Sequence, residues 1–384
     1  MFILLFLLIS FGSVCAVLFT PALPQIGTYF GVTPNVAQLT ITLYLVGYAF
    51  GQLLYGPLAN GLGRKKALYI GISLEIISAI FCALSANFHA FWILVLARLF
   101  MALGASVGLK MSFTIVSDCF SQEESTKIIA HLMMAFAITP GLGIALGGFL
   151  SEHFDWTSCF YFLALYGAFL LCLVYRMKET AKNIDISALK FSKIISKYLS
   201  ITKNLPLILN SFLLGSAGSF IYVFAAVAPF LTANFMQLSP VEYGLWNLLP
   251  PIGIVLGSQL SAYFSGRLLA RQAIFVGATL AGLGTAVILA VFMLNIMLPI
   301  LLFVPLLFIY MGTAFIFSNA STLAMNAVED KSSGSAMMNF INVGGCMLSV
   351  IGVELLPNTS SLLLPIFYSV LVIALFSIAR FSNA

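Results

Sequence analysis

Only 8% of the 384 residues are Asp, Glu, Lys or Arg, where a soluble domain carries about 25%. A chain with so little charge cannot cover a water-facing surface, which excludes a soluble fold. Histidine is reduced to His89, His131 and His153, dispersed at the ends of apolar runs, with no Ser-His-Asp arrangement and no metal-ligand spacing, so an enzyme is not expected and no metal site is supported. The six cysteines (Cys15, Cys82, Cys119, Cys159, Cys172, Cys346) include no CxxC pair and read as small buried hydrophobes rather than redox groups. A GxxxxGK[ST] phosphate loop is absent, so ATP is not the energy source, a gradient is, and no cofactor is expected. The formal charge of +5 would point to nucleic acid in a soluble domain. Here the cations follow the loops, and nucleic-acid binding is not expected.

What remains is apolar: 61% of the chain is hydrophobic. Runs of about twenty such residues between polar breaks predict twelve membrane-spanning helices, at 2–20, 36–58, 67–86, 91–117, 128–150, 157–176, 205–232, 241–264, 271–293, 297–319, 333–355 and 360–380. A signal peptide would also give an apolar run at the start. No Lys or Arg precedes the first run, however, and the residues before Cys15 make a poor cleavage or lipidation site. With the N-terminus inside, all Lys and Arg except Arg98 and Lys110 fall on cytoplasmic loops and ends, while the outward loops hold His89, Glu152, His153, Asp155 and Glu242. Twelve spans with both termini cytoplasmic satisfy the positive-inside bias.

The longest polar stretch, 177–204, divides the chain into two sets of six spans, residues 1–176 and 205–384. Within this cytoplasmic linker, IDISALKFSKIISKYLS places Lys190, Lys193 and Lys197 on one helical face, with Phe191, Ile194, Ile195, Tyr198 and Leu199 opposite. Such a basic amphipathic helix is expected to lie on the cytoplasmic leaflet of the bilayer. An internal repeat is faint: GQLLYGPLANGLGRKK after the second span is echoed by GSQLSAYFSGRLLARQ after the eighth.

The segment GPLANGLGRKK, Gly56 to Lys66, joins three glycines to three adjacent cations between two spans. Three cations mark a cytoplasmic loop, and Gly56, Gly61 and Gly63 allow close backbone approach. Together with TPALPQIGTYFGV after the first span, YLVGYAFGQLLYGPLANGLGRKK from the second, ARLFMALGAS in the fourth, SNASTLA after the tenth and GSAMM opening the eleventh, it resembles the major facilitator superfamily. Within that superfamily it is similar to the drug:proton antiporters of the bicyclomycin-resistance (Bcr/CflA) group. The resemblance covers most of the chain. It implies two six-helix bundles that rock about a central cavity lined by helices one, four, seven and ten. It further implies a monomeric inner-membrane transporter that exports amphipathic drugs or small metabolites in exchange for protons. The alternative on the same fold is a dedicated exporter or importer of one endogenous solute, such as a siderophore or metabolite, with weak proton coupling or none.

The resemblance also assigns residues. In the loop motif a carboxylate usually stands where this chain has Asn60, and a basic residue where it has Gly61. Arg64 is retained, and Asp118 matches the acid that family members pair with it, so Gly56, Asn60, Gly63, Arg64 and Asp118 are expected to form a gate whose Arg64–Asp118 contact steadies the outward-open state and breaks on rocking. In ITPGLGIALGG, Gly143, Gly147 and Gly148 match the antiporter motif, whereas Ile144 stands in place of its proline. Pro140 should free a carbonyl and bend the helix. The carboxylate that many such antiporters carry shortly before the PALP segment is missing: that neighbourhood reads Cys15 to Phe19.

Three ionisable residues lie deep in spans, Glu75, Arg98 and Lys110, where burial costs roughly 2.5–3.5 kcal/mol on insertion scales. Counting along the helices puts Glu75 about 12 Å and Lys110 about 10 Å from the cytoplasmic end, so the two can meet at one depth. Glu75 then either pairs with Lys110 or faces the cavity and carries a proton. Arg98 either faces the cavity or snorkels outward. The expected cavity wall is aromatic and weakly polar: Tyr44 and Gln52, Ser219 and Tyr222, Tyr310, Phe317 and Asn319, and Asn339 and Asn342. A wall of this kind suits uncharged or amphipathic ligands.

Overall fold

The protein, seen in a computed structural model that describes residues 2–181, 184–186, 190–356 and 360–381 apart from the side chains of residues 122, 126, 130, 191–194, 197 and 332, is helical throughout its long elements. Of the expected charge map, Lys182 lies outside the described residues, as do the side chains of Lys193, Lys197, Phe191 and Ile194 on the two faces of the linker helix. In chain order the helices are α1 (Phe2–Val17), α2 (Leu23–Phe30), α3 (Pro34–Leu62), α4 (Arg64–Leu84), α5 (Phe91–Ala105), α6 (Val107–Cys119), α7 (Gln122–His153) and α8 (Trp156–Arg176). The linker helix α9 (Phe191–Ile201) follows, and then α10 (Leu205–Phe235), α11 (Pro240–Trp246), α12 (Pro250–Tyr263), α13 (Ala270–Met293), α14 (Pro299–Asn326), α15 (Lys331–Glu354) and α16 (Leu363–Phe381).

Among the described residues, eleven helical runs are long and apolar enough to cross a bilayer, with α1–α2 and α5–α6 each forming one run. The twelfth crossing is the pair α11–α12, which sequence hydropathy reads as one span at 241–264. Pro250 and Pro251 lack amide hydrogens, so they cannot continue the ladder from Trp246 and Asn247, and the helix restarts. Proline corrects the first span as well. It does not end near residue 20: α1 stops at Val17, a 3₁₀ turn covers Thr20–Ala22, and α2 carries the TPALPQIGTYFGV segment on as helix to Phe30. The Thr20 hydroxyl donates to the Val17 carbonyl that Pro21 leaves without a partner. SNASTLA is likewise inside α14 rather than after it. Pro140 is accommodated within α7, which continues to His153.

Some helix starts carry side-chain caps. Ser121 with Glu124, and Ser239 with Glu242, form capping boxes at α7 and α11, and the Asp155 carboxylate accepts the Thr157 and Ser158 amides at α8. The twelve crossings pack as two six-helix bundles. In the first, α3 and α4 flank α5, α8 covers α4, and α1 lies against α6 and α7; in the second, α14 lies between α12 and α13, and α10 packs on α14, α15 and α16. Across the seam, α3 packs on α15, and α7 on α11 and α12. The core is almost wholly apolar, and the large side chains pointing outward, such as Phe50, Trp92, Leu165 and Phe169, suit lipid rather than water.

Candidate functional site

At the cation-rich end, the turn between α3 and α4 brings four strands of chain together. Gly63 adopts φ +94°, which admits no side chain without strain, and so lets the chain enter α4 directly at Arg64. The Arg64 Nε donates to Asp118 Oδ2 at 2.9 Å, both side chains being mostly buried. Its Nη1 donates to the Ala59 carbonyl at 2.9 Å and to Asn60 Oδ1 at 3.4 Å. Among the described residues, every partner of this guanidinium belongs to the first bundle.

Sequence reasoning missed the second layer of this site. Glu179, on the chain leaving α8, accepts the backbone amides of Arg64 (2.9 Å) and Lys65 (3.1 Å), and also those of Thr180 and Ala181 (2.9 Å each). A carboxylate on the first two amides of α4 is a helix cap supplied from more than a hundred residues away, placed where the helix dipole favours negative charge. Partial burial pushes the Glu179 carboxyl up, but the four amide donors outweigh it and hold the group below its usual range. Thr180 Oγ1 adds a bond to Asp118 (3.2 Å), Lys65 Nζ bonds the Tyr175 carbonyl (2.8 Å), and the Asp185 amide bonds the Asn60 carbonyl (2.9 Å). The linker thus starts as a strap across the loop.

Arg98 neither lines a cavity nor snorkels. It is fully buried, sandwiched between the Phe19 and Tyr44 rings with its central carbon 4.2 Å from each centroid. It donates to the carbonyls of Cys15 (2.6 Å), Ala16 (3.0 Å) and Thr40 (3.2 Å). The first two belong to the last turn of α1, so the guanidinium caps the break that Pro21 imposes and meets the negative end of the α1 dipole.

Glu75 and Lys110 are not brought together. Glu75 is enclosed within the first bundle: Oε1 accepts from Cys15 Sγ at 3.5 Å, Oε2 has no hydrogen-bond partner, and Oε2 lies against Gly167 of α8. Arg98 is the opposing charge that acts on it. Lys110 instead runs past Gly56 of α3 and feels the charge of Asp330, which precedes α15.

Between the bundles, α3 presents Tyr44, Tyr48 and Gln52 on one helical face. The Tyr44 hydroxyl donates to the Gly12 carbonyl at 2.7 Å, and its ring stacks on Tyr48 with 6.1 Å between centroids. Tyr48 fits because Gly12 has no side chain; a Cβ there would meet the ring at 2.6 Å. The Tyr48 hydroxyl lies within hydrogen-bonding reach of the Gln52 side chain on its own helix and in electrostatic range of Tyr222 on α10. Phe317 and Asn342 reach the same region past Gly218. Tyr48 was missed although its position, four residues from both Tyr44 and Gln52, places it on their face.

Other expected wall residues are used inside the second bundle: Ser219 donates to Ser349 (2.8 Å) and Asn319 to Ser261 (3.1 Å), while Tyr310 is buried among the tyrosines Tyr243 and Tyr368. Asn339 is half-buried on α15. A groove of about 240 Å³ between α7 and the α11–α12 break is lined by Ile138, Gly141, Leu248, Pro251, Ile252 and Val255; it is apolar and lies away from the convergence of polar side chains.

Of the α7 glycines expected to match the antiporter motif, Gly147 and Gly148 are contact points. A Cβ on Gly147 would stand 1.6 Å from the Leu18 carbonyl oxygen and one on Gly148 2.2 Å from that of Pro240, whereas Gly143 keeps 3.6 Å from Val14. At the end opposite the cations, hydrogen bonds close the seam. Asn35 donates to the Glu354 and Leu356 carbonyls (2.5 and 2.8 Å), Gln38 to the Ala226 carbonyl (3.0 Å), Thr42 to the Glu354 carboxylate, and the Val241 amide to Glu152 (2.8 Å).

A multi-pass helical protein with a sealed seam at one end and a polar aromatic cluster between two bundles has the build of a membrane transporter. Residues 2–353 match the family model of the Major Facilitator Superfamily, and the chain belongs to that family. It is 30% identical to the uncharacterized MFS-type transporter YdgK of Bacillus subtilis (strain 168), over 91% of this chain and 88% of that protein. It is 28% identical to a chloramphenicol resistance protein of Pseudomonas aeruginosa, over 90% and 81%. Across curated relatives the matched stretch spans 38% to 88% of their length. In fold it is similar to the crystal structure of a D-xylose-proton symporter, with TM-score 0.79, 13% identity and coverage of 98% and 97%.

Proposed function

We propose that this transporter exports uncharged or amphipathic drugs or metabolites across the inner membrane by alternating access, as a monomer with both termini cytoplasmic. The carrying observation is the aromatic and amide cluster of Tyr48, Gln52 and Tyr222 between the bundles; similarity to a chloramphenicol resistance protein supports the export direction. The cation-rich loop acts in this reading as a brace. The Arg64–Asp118 pair is made while the opposite end is closed, and all its partners ride on one bundle, so rocking need not break it. This narrows the expected gate to a joint that keeps α3, α4 and α6 moving together. The test is a strain stripped of its own exporters that expresses the protein and is challenged with chloramphenicol and a panel of toxic solutes. Raised tolerance to several supports drug export; no change with any compound sinks it.

Proton antiport through Glu75 is part of the proposal, since Glu75 is the deep carboxylate of the first bundle and one of its oxygens has no partner. Replacing Glu75 with Gln should abolish substrate-driven pH change in proteoliposomes, and undiminished proton movement would exclude the residue. One observation favours the second reading, a carrier for one endogenous solute with weak coupling: Glu75 is fully enclosed behind Cys15. A defect confined to one solute in a deletion strain would select it.

A further inference from the structure

We propose that the linker helix α9 docks on anionic phospholipid of the cytoplasmic leaflet, and that the docked helix clasps the two bundles together at the cation-rich end. Its inward side carries the clasp. Ile201 is buried, and the half-buried Tyr198 donates at 3.0 Å to the Leu53 carbonyl of α3, in the first bundle. The same helix packs on α15 of the second bundle, and the charge of Asp330, which precedes α15, reaches Tyr198. One short helix thus touches both sides of the seam.

The outward side is built for lipid. Ile195 and Leu199 are left 41% and 59% exposed, and four residues apart they form one row along the helix. Facing water, that row is unfavourable, and contact with acyl chains removes the water. Residues 186–204 hold Lys190, Lys193, Lys197 and Lys203 and no Asp or Glu, and the Lys190 and Lys203 side chains are exposed. An apolar row among unopposed cations complements an anionic headgroup layer, and each lysine near such a surface strengthens docking roughly fivefold. Depth agrees with this partner. Leu53 lies five residues, about 7.5 Å, inside the 58 limit of the second span, and Phe50 and Leu54 beside it point outward. A tyrosine reaching that depth keeps α9 along the boundary between headgroups and acyl chains, where interfacial helices lie. Because α9 meets both bundles, lipid that fixes it there also holds the cationic ends of α3 and α15 together.

The test is hydrogen–deuterium exchange of the full chain in nanodiscs of phosphatidylcholine or of phosphatidylglycerol. In phosphatidylglycerol the amides of residues 195–201 should exchange roughly fivefold or more slowly, and high salt should remove most of the difference. The first two turns of α15 should slow with them. Lys190→Gln combined with Lys193→Gln and Lys197→Gln should make α9 exchange alike in both lipids, and Tyr198→Phe should keep the slowing in α9 while losing it in α15. If the triple variant does not accumulate, the salt arm on wild type decides. Equal exchange of wild-type α9 in the two lipids, or slowing that survives high salt or persists in the triple variant, overturns the docking. Slowing that needs two copies per disc in either lipid gives the face to a second copy of the chain and overturns it as well. Indifference of the α15 amides to lipid overturns the clasp. None of these outcomes depends on the direction of transport or on its substrate.

Discussion

Glu179→Gln should loosen the start of α4 without disturbing the membrane-spanning core. The carboxylate accepts four amides, two of them the first N–H groups of α4. An amide side chain keeps one accepting oxygen but loses the charge and the second oxygen. Hydrogen bonds to a charged acceptor contribute about 1.5–3 kcal/mol each where they are shielded. Glu179 is exposed, so screening reduces the whole effect to roughly 1–2 kcal/mol. Since 1.4 kcal/mol is a factor of ten, the Arg64 and Lys65 amides should exchange with deuterium about 5–30 times faster in the variant, while amides in the middle of α4 keep their protection. The pH dependence has a definite sign. A carboxyl held below its usual range in the folded state contributes stability above its unfolded value of about 4.3 and loses it as pH falls through the lower folded value. The difference between wild type and variant should be constant from pH 7 to 5.5 and close only in acid below that unfolded value. Equal exchange of the two amides at pH 7, or a difference that closes between pH 5.5 and 7, would refute the capping role.

The α7 glycines Gly143, Gly147 and Gly148 should not respond alike. Gly147→Ala and Gly148→Ala drive a methyl into the Leu18 and Pro240 carbonyls, exceeding the about 1–3 kcal/mol of ordinary overpacking, so little protein should reach the membrane; Gly143→Ala should accumulate normally. Asp118→Asn should cost about 1–3 kcal/mol through the weakened bonds to Arg64 and Thr180, read as a lower unfolding temperature in detergent, with an unchanged temperature counting against the brace. Tyr198→Phe should expose the linker to protease more readily, because its hydroxyl donates at 3.0 Å to the Leu53 carbonyl that Pro57 leaves without an amide partner, a bond worth about 0.5–1.5 kcal/mol; identical cleavage rates would remove α9 from this contact.

The sequence made the crossings legible because a bilayer demands about twenty apolar residues and punishes charge, both of which can be counted residue by residue. Prolines redrew the details: Pro21 moved the end of the first span, and Pro250 with Pro251 cut the eighth. For the site, depth was legible and direction was not. Counting at 1.5 Å per residue placed Glu75 and Lys110 at one level, yet Glu75 turns toward Cys15 on α1 and Lys110 toward Gly56 on α3. Neither reading of Arg98 anticipated carbonyl partners 82 and 83 residues away. Glu179 was invisible for the same reason, since nothing local distinguishes a solvated linker glutamate from one that caps a remote helix.

The division of labour between charged and neutral contacts bears on how the bundles move. Within the first bundle the joints are charged: Arg64 with Asp118, Glu179 on the α4 amides, and Arg98 on the broken end of α1. Removing a partner costs about 1–3 kcal/mol at Arg64, roughly 1–2 kcal/mol at the exposed Glu179 and about 3–5 kcal/mol at the fully buried Arg98, so on the proposed rocking motion these joints hold. The sealed end of the seam relies mainly on Asn35 and Gln38 donating to backbone carbonyls, with net contributions of about 0.5–1.5 kcal/mol each. A few such bonds hold the end shut with an energy that ligand binding can match, whereas buried ion pairs at the same places would trap the closed state. The Arg98 joint reaches that seal through its own helix break, because the 3₁₀ turn and α2 beyond it pack on α10 of the second bundle. A guanidinium that fixes the break therefore also sets where the first bundle presents its half of the seal.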